Sequence, residues 1–156
     1  MPRTVPPSPS TRHAPFPYKV VGLSLPLAAY AVDTIPLMAC SVLVVDDDRD
    51  FRRLAARMLA SLELAVVGEA GTVAEAEALA AELRPDAALV DVGLPDGDGL
   101  ELAERLAALP WRPRVVITSS DAEATSPAGA RALGAIGFVA KGNLLNGSLR
   151  GMLTGE

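Results

Sequence analysis
Val42-Leu43-Val44-Val45-Asp46-Asp47-Asp48 is a run of β-branched and leucine residues that ends in three carboxylates. A continuous apolar run of this length, with no polar alternation, fits a strand buried on both faces, as in a parallel sheet covered by helices. The next segment changes period. Phe51, Leu54, Ala55, Met58, Leu59 and Leu62 recur at intervals of three and four across Asp50 to Leu62, which predicts helix one.

Outward from this unit the alternation repeats. A second strand is expected over Leu64 to Glu69, and Thr72 with Glu75 three residues on forms a capping box for a second helix that runs to Leu83 and stops at Pro85. Ala87 to Asp91 reads as strand three, Gly93 to Gly99 as a loop, and Leu100 to Leu109 as helix three, closed by Pro110. Arg114 to Thr118 is strand four, Thr125 to Leu133 a short helix, Ile136 to Ala140 strand five, and Leu144 to Leu153 a last helix. Five βα units predict an α/β domain: an open, doubly wound, five-stranded parallel sheet with helices on both faces. Ligands of such sheets sit at the carboxyl ends of the strands.

The bulk numbers agree with one domain. The chain has 156 residues, half of them apolar, and a net charge of -5, which argues against a general nucleic-acid binder that works by neutralising phosphates. The single cysteine, Cys40, excludes an internal disulfide, so a reduced, cytoplasmic setting is the default expectation. Arginine outnumbers lysine twelve to two, the lysines being Lys19 and Lys141. In a chain so biased towards Arg, a Lys at the end of an apolar strand marks a place for a compact ammonium.

Residues 1–40 read differently from the rest. Pro2, Pro6, Pro7, Pro9, Pro15 and Pro17 among Ser, Thr and Arg give no period and predict disorder. Val20 to Val32 is mostly apolar but is interrupted by Pro26 and too short to span a bilayer, so no membrane insertion is expected. Leu37-Met38-Ala39-Cys40 loosely resembles a lipoprotein cleavage box. The preferred expectation is instead a start at Met38, two residues ahead of the domain at 41–156, because a lipid on Cys40 would leave almost no tether before strand one.

The strand ends carry the chemistry. Strand one ends in Asp46, Asp47 and Asp48, strand three in Asp91, strand four in Thr118 and Ser119, and strand five in Lys141. Acids from distant segments that crowd one sheet edge repel one another unless a cation is bound. Mg²⁺ suits them, since it takes oxygen ligands and is held by a few carboxylates together with phosphate oxygens. The other use of this edge, a flavin or nucleotide phosphate site, would need a Gly-, Ser- or Thr-rich turn after strand one, where this chain has Asp-Asp-Asp-Arg-Asp.

Val44-Val45-Asp46-Asp47, Leu89-Val90-Asp91 with Leu94-Pro95-Asp96-Gly97-Asp98-Gly99, Ile117-Thr118-Ser119 and Phe138-Val139-Ala140-Lys141 together resemble a bacterial response-regulator receiver domain, over residues 41–156. The resemblance implies a flavodoxin-like fold with strand order 2-1-3-4-5. It implies that Asp91 accepts a phosphoryl group from a histidine kinase or phosphotransfer protein in a two-component phosphorelay. Asp46, Asp47, Asp91 and the backbone carbonyl of Gly93 would hold Mg²⁺. Thr118 and Lys141 would meet the phosphoryl oxygens, with small Ser119 leaving room beside them. Phe138 corresponds to an aromatic switch coupled to Thr118, and core packing is its plainer reading. The downstream protein target is unspecified, and the face of helix four, strand five and helix five is one through which such domains dimerise.

Asp48 is expected to open helix one, while Asp96 and Asp98 shape the loop and cap helix three, with Gly97 and Gly99 supplying permissive backbone. Two departures stand out. Gly142 follows Lys141 where many receivers have Pro, and Gly147 and Gly151 each cost about 1 kcal/mol inside the expected last helix. Ser126, Pro127 and Gly129 crowd the start of helix four. The rival readings are a regulator that has lost its helix-turn-helix DNA-binding half, an Mg²⁺-dependent phosphohydrolase, which would want an acid where Gly93 stands, and a pseudo-receiver, which would lack a key residue. Only fifteen residues follow Lys141, so direct nucleic-acid binding is not expected.

Overall fold
The computed structural model describes residues 39–156, so the expectations for residues 1–38 lie outside the described residues. The main sheet holds β1 (Ser41–Val45), β2 (Ala65–Ala70), β3 (Ala87–Asp91), β4 (Arg114–Ser119) and β5 (Gly137–Ala140). All neighbours are parallel and the order is β2-β1-β3-β4-β5, as the resemblance implied. The crossovers run through α1 (Arg49–Ser61), α2 (Val73–Leu83), α3 (Gly99–Ala107) and α4 (Pro127–Ala132), and α5 (Ser148–Thr154) follows β5.

The pleat turns successive residues to opposite faces, and both faces are covered. Leu43, Val45, Val90, Val115 and Ile117 pack with Ala76, Ala80, Leu102, Leu106 and Ala130 of α2, α3 and α4. Val42, Val44, Leu89, Val116 and Val139 pack on the other side with Ala55, Met58, Leu59, Leu149 and Leu153 of α1 and α5. This two-sided burial is why β1 carries no polar alternation. Below the sheet, the backbone N–H and hydroxyl of Ser41 both donate to Asp86 Oδ2, at 2.9 and 3.0 Å, and the Asp86 N–H returns a bond to Ser41 Oγ. This clamp fixes the start of β1 against the start of β3.

The helix caps follow the sequence with instructive exceptions. Asp48 opens α1 by accepting from the N–H groups of Asp50 and Phe51. Thr72 accepts from Glu75 N–H as expected, but the Glu75 carboxylate reaches Gly71 N–H, one residue earlier than a capping box requires. Asp98 caps α3, whereas Asp96 caps α2 across space, accepting from Val73 and Ala74 N–H. Ser126 and Pro127 form a regular helix start, since Ser126 accepts from Gly129 N–H and Pro127 occupies the first turn.

Four expectations are corrected. Leu54 points out of the α1 core stripe and is 61% exposed. The last helix begins at Ser148, because Lys141–Asn143 forms a 3₁₀ turn and Gly147 adopts φ 81°, outside the helix rather than within it. Gly97 and Gly99 have no left-handed φ. Gly99 is needed for space: a Cβ there would overlap the carbonyl oxygen of Asp91 and lie 2.7 Å from Val92 Cα. Residues 93–99 are also more than a loop, with Gly93–Leu94 pairing antiparallel to Gly97–Asp98.

Gly99→Ala must therefore shift the end of β3 or the start of α3, at the cost of over-packing, about 1–3 kcal/mol. We expect a lower urea midpoint with an unchanged slope, and an unaltered midpoint would show that the backbone relaxes freely.

Candidate functional site
The carboxyl edge of the sheet gathers Asp46, Asp47, Asp91, Thr118, Ser119 and Lys141. Asp46 follows β1 directly, and its N–H extends the ladder to the Ala70 carbonyl at 2.9 Å. Its Oδ1 accepts from Asp48 N–H at 2.9 Å, and its carbonyl accepts from Arg52 Nη1 at 2.7 Å, so this fully buried residue has little freedom. Asp47 is exposed beside it. Asp91 closes β3 in register with Thr118 on β4, and the Val92 N–H donates to the Thr118 carbonyl at 3.0 Å.

Asp46, Asp47 and Asp91 each offer a carboxylate oxygen, and these atoms all lie within 4.8 Å of one another. Lys141, the first residue past β5, answers that charge. Its Nζ lies 2.6 Å from Asp46 Oδ2 and 3.5 Å from Asp91 Oδ1, with the side chain 16% exposed. The same ammonium stands 4.3 Å from the centroid of the Phe51 ring. Thr118 is wholly buried and its Oγ1 has no hydrogen-bond partner among the described residues. Ser119 Oγ accepts from Asp121 N–H at 3.1 Å and so shapes the turn beyond β4, a role its size alone did not show.

The donor set fits a hard divalent cation. Three clustered carboxylate oxygens supply charge and ligand type, and one ammonium leaves that charge incompletely balanced. A Cβ built on Gly93 would lie 3.7 Å from Asp91 Oδ2, so the residue passes close to the acids. Asp48, Asp96 and Asp98 are spent on helix caps. Phe138 is not among the clustered acids; it packs, partly buried, against the core that includes α2, α3 and α4. Sequence reading placed Phe51 only in the helical stripe and gave Arg52 no role. Helical spacing cannot tell a core ring from one that faces an ammonium.

Burial, followed by the charge of Asp46, raises the Asp91 carboxyl above its ordinary value, against the opposing pull of Lys141, and Asp47 adds to the rise. For Lys141 burial acts downward, but Asp46 and Asp91 outweigh it and hold the ammonium above its ordinary value. The signs give different pH windows. The Lys141 contribution to stability is present below 10.5 and is lost as pH rises through the higher folded value. The raised Asp91 instead makes folding less favourable as pH climbs from 3.8 through its folded value, and the penalty persists at neutral pH.

Asp91→Asn removes that penalty and leaves Lys141 paired with Asp46. In metal-free urea unfolding we expect the variant to exceed the wild type in stability at neutral pH, by a margin that narrows on acidification towards 3.8. A less stable variant at neutral pH would contradict this electrostatic account.

Comparison with known proteins agrees with the geometry. Residues 42–147 match the model of the response regulator receiver domain. The chain is 44% identical over 101 residues to the DNA-binding transcriptional activator DevR/DosR of Mycobacterium tuberculosis, covering 64% of this chain and 46% of that protein. It thus spans less than half the length of that curated relative. Among solved structures, the signal receiver domain of the putative response regulator NarL from Mycobacterium tuberculosis superposes with a TM-score of 0.60 at 35% identity, covering 66% of this chain and 84% of that one. A two-component response regulator of the LuxR family from Aurantimonas sp. SI85-9A1 does so with a TM-score of 0.64 at 25% identity, covering 76% and 87%. With two thirds of its length matched to that family and the acids gathered at the sheet edge, the chain belongs to the response regulator receiver domains of bacterial two-component systems.

Proposed function
We propose that this receiver accepts a phosphoryl group on Asp91 from a phosphohistidine of a kinase or phosphotransfer protein, with Mg²⁺ bound, and thereby switches a protein-interaction surface. The observation that carries the reading is the convergence of Asp46, Asp47 and Asp91 within 4.8 Å, with Lys141 bridging two of them. The domain is taken to run over 41–156, which the clamp between Ser41 and Asp86 supports.

Asp46, Asp47, Asp91 and the Gly93 carbonyl would hold the Mg²⁺, which neutralises charge on the phosphoryl group. An Asp91 carboxylate oxygen attacks phosphorus, the P–N bond breaks, and the imidazole leaves with the electron pair. Thr118 donates its hydroxyl to one phosphoryl oxygen, a role supported by the missing partner of that buried atom. Lys141 offers its ammonium to another. Phe138 lies one strand over, beside Ile117 in register, and answers movement of Thr118. We place the domain among phosphoacceptor switches rather than turnover enzymes, working in the cytoplasm. Among the described residues no helix is long and apolar enough to cross a membrane. A setting within a longer DNA-binding regulator is favoured by the greater length of DevR/DosR and would use the same chemistry.

Incubation with acetyl phosphate and Mg²⁺ should add one phosphoryl group by intact mass to the wild type, and none to Asp91→Asn or to the wild type in excess chelator. Labelling of Asp91→Asn to the same extent would refute the assignment. Switching through a shift of populations predicts a second result. With Mg²⁺ and beryllofluoride, hydrogen exchange should change across residues 118–140 while β1 and β3 stay protected. A profile unchanged there would argue against that surface as the output.

A further inference from the structure
Lys141 and a bound cation would both draw on the Asp46 carboxylate. Asp46 Oδ1 is committed to Asp48 N–H, and Lys141 Nζ sits 2.6 Å from the remaining Oδ2. Divalent magnesium takes its ligand oxygens at about 2.0–2.1 Å, so an ion on Asp46 would stand close to the ammonium, and repulsion between the two cations weakens the Lys141–Asp46 pair. An ammonium has three donors and no acceptor, and on losing Asp46 it keeps only the longer 3.5 Å approach to Asp91 Oδ1. Asp91 is in turn wanted by the ion.

A second seat for the ammonium is already built. The Phe51 ring stands in the first turn of α1, where Asp48 accepts the Phe51 N–H and fixes the helix start, and its centroid is 4.3 Å from Lys141 Nζ. An aromatic face attracts a cation through its quadrupole, most strongly where water is thin, and Lys141 is only 16% exposed. The ring brings no oxygen and so does not compete for the metal. We propose that Phe51 is a positioning residue: its ring face retains the Lys141 ammonium at the acceptor site when Asp46 passes to the cation, so that a phosphoryl group arriving on Asp91 meets a positive charge already in place. This rests on the phosphoacceptor reading above and adds a residue to it.

The chain has two lysines, Lys19 and Lys141, so selective ¹³C,¹⁵N-lysine labelling of the full-length protein gives a simple spectrum. The ε-methylene of Lys141 should show an upfield ring-current shift relative to Lys19, kept in saturating Mg²⁺ and lost in Phe51→Leu. Replacing Phe51 with mono-, di- and trifluorinated phenylalanine empties the ring face in steps while packing is nearly conserved. Affinity for beryllofluoride in Mg²⁺ should then fall in the same order, by about fivefold to tenfold over the series, with thermal midpoints unmoved. Phe51→Tyr should behave as wild type. A Lys141 signal that moves to the Lys19 position on adding Mg²⁺, or an affinity indifferent to fluorination, would overturn the proposal. A wild type that keeps the ring shift in Mg²⁺ yet takes up neither beryllofluoride nor acetyl phosphate would instead sink the phosphoacceptor reading, and the role of Phe51 with it.

Discussion
Charge crowding at the carboxyl edge of the sheet is the constraint to which the surrounding structure answers. Asp46, Asp47 and Asp91 bring carboxylate oxygens within 4.8 Å of one another, and two of these residues are buried. Burial, followed by the charge of Asp46, pushes the Asp91 carboxyl upward, the direction in which such a group takes up protons. Lys141 relieves part of that repulsion from the end of β5 and therefore joins the last strand to the first and third. Breaking a buried pair by removing one partner typically costs about 3–5 kcal/mol, so this contact is structural as well as chemical. Arg52 supports it from behind by holding the Asp46 carbonyl at 2.7 Å and by approaching Glu69 at 3.5 Å.

Strands were legible because two-sided burial leaves an unbroken apolar run. Ala87 to Asp91 was read residue for residue, and the other strands to within a residue or two at each end. The convergence of acids and lysine was legible for a related reason: parallel strands with helical crossovers send every carboxyl end to the same edge, so the ends need only be counted. Caps that act between neighbours in sequence were also visible, as with Asp48 and Thr72. The Asp96 carboxylate was not. It binds Val73 and Ala74 N–H groups more than twenty residues away, and the Val73 N–H in particular lowers its carboxyl below the ordinary value. No local pattern encodes that partner.

Glycine was the least legible residue. In sequence Gly97, Gly99, Gly147 and Gly151 look alike, yet they do different things. Gly147 supplies a φ of 81° just before Ser148, which shortens the expected ten-residue helix from Leu144 to a seven-residue α5 that starts at Ser148. Gly99 supplies absence of volume, since the backbone of Asp91 passes where a Cβ would be. The consequence for the site is direct, because the residue that opens α3 sets how closely that helix can approach the end of β3 at Asp91. Leu54 shows the same limit for the helical stripe: a wide apolar face does not say which edge residue the core will take.

Thr118 completes the physical picture because its hydroxyl is uncommitted among the described residues. Its Oγ1 is buried and makes no hydrogen bond among the described residues, so its bonding capacity is open to an oxygen at the site. The residue itself is pinned through its backbone, with its carbonyl accepting from Val92 N–H and its strand in register with Asp91 on one side and Val139 on the other. Neither strand can relax to satisfy the hydroxyl without disturbing the sheet. On the phosphoacceptor reading, an oxygen acceptor arriving at Asp91 gives that hydroxyl a bond. β4 and β5 pair along Ile117, Thr118 and Ser119 with Phe138, Val139 and Ala140, so Thr118 lies on the strand pair that leads to Lys141. The buried hydroxyl and the ammonium therefore stand at the carboxyl end of one strand pair, on backbone the two strands share.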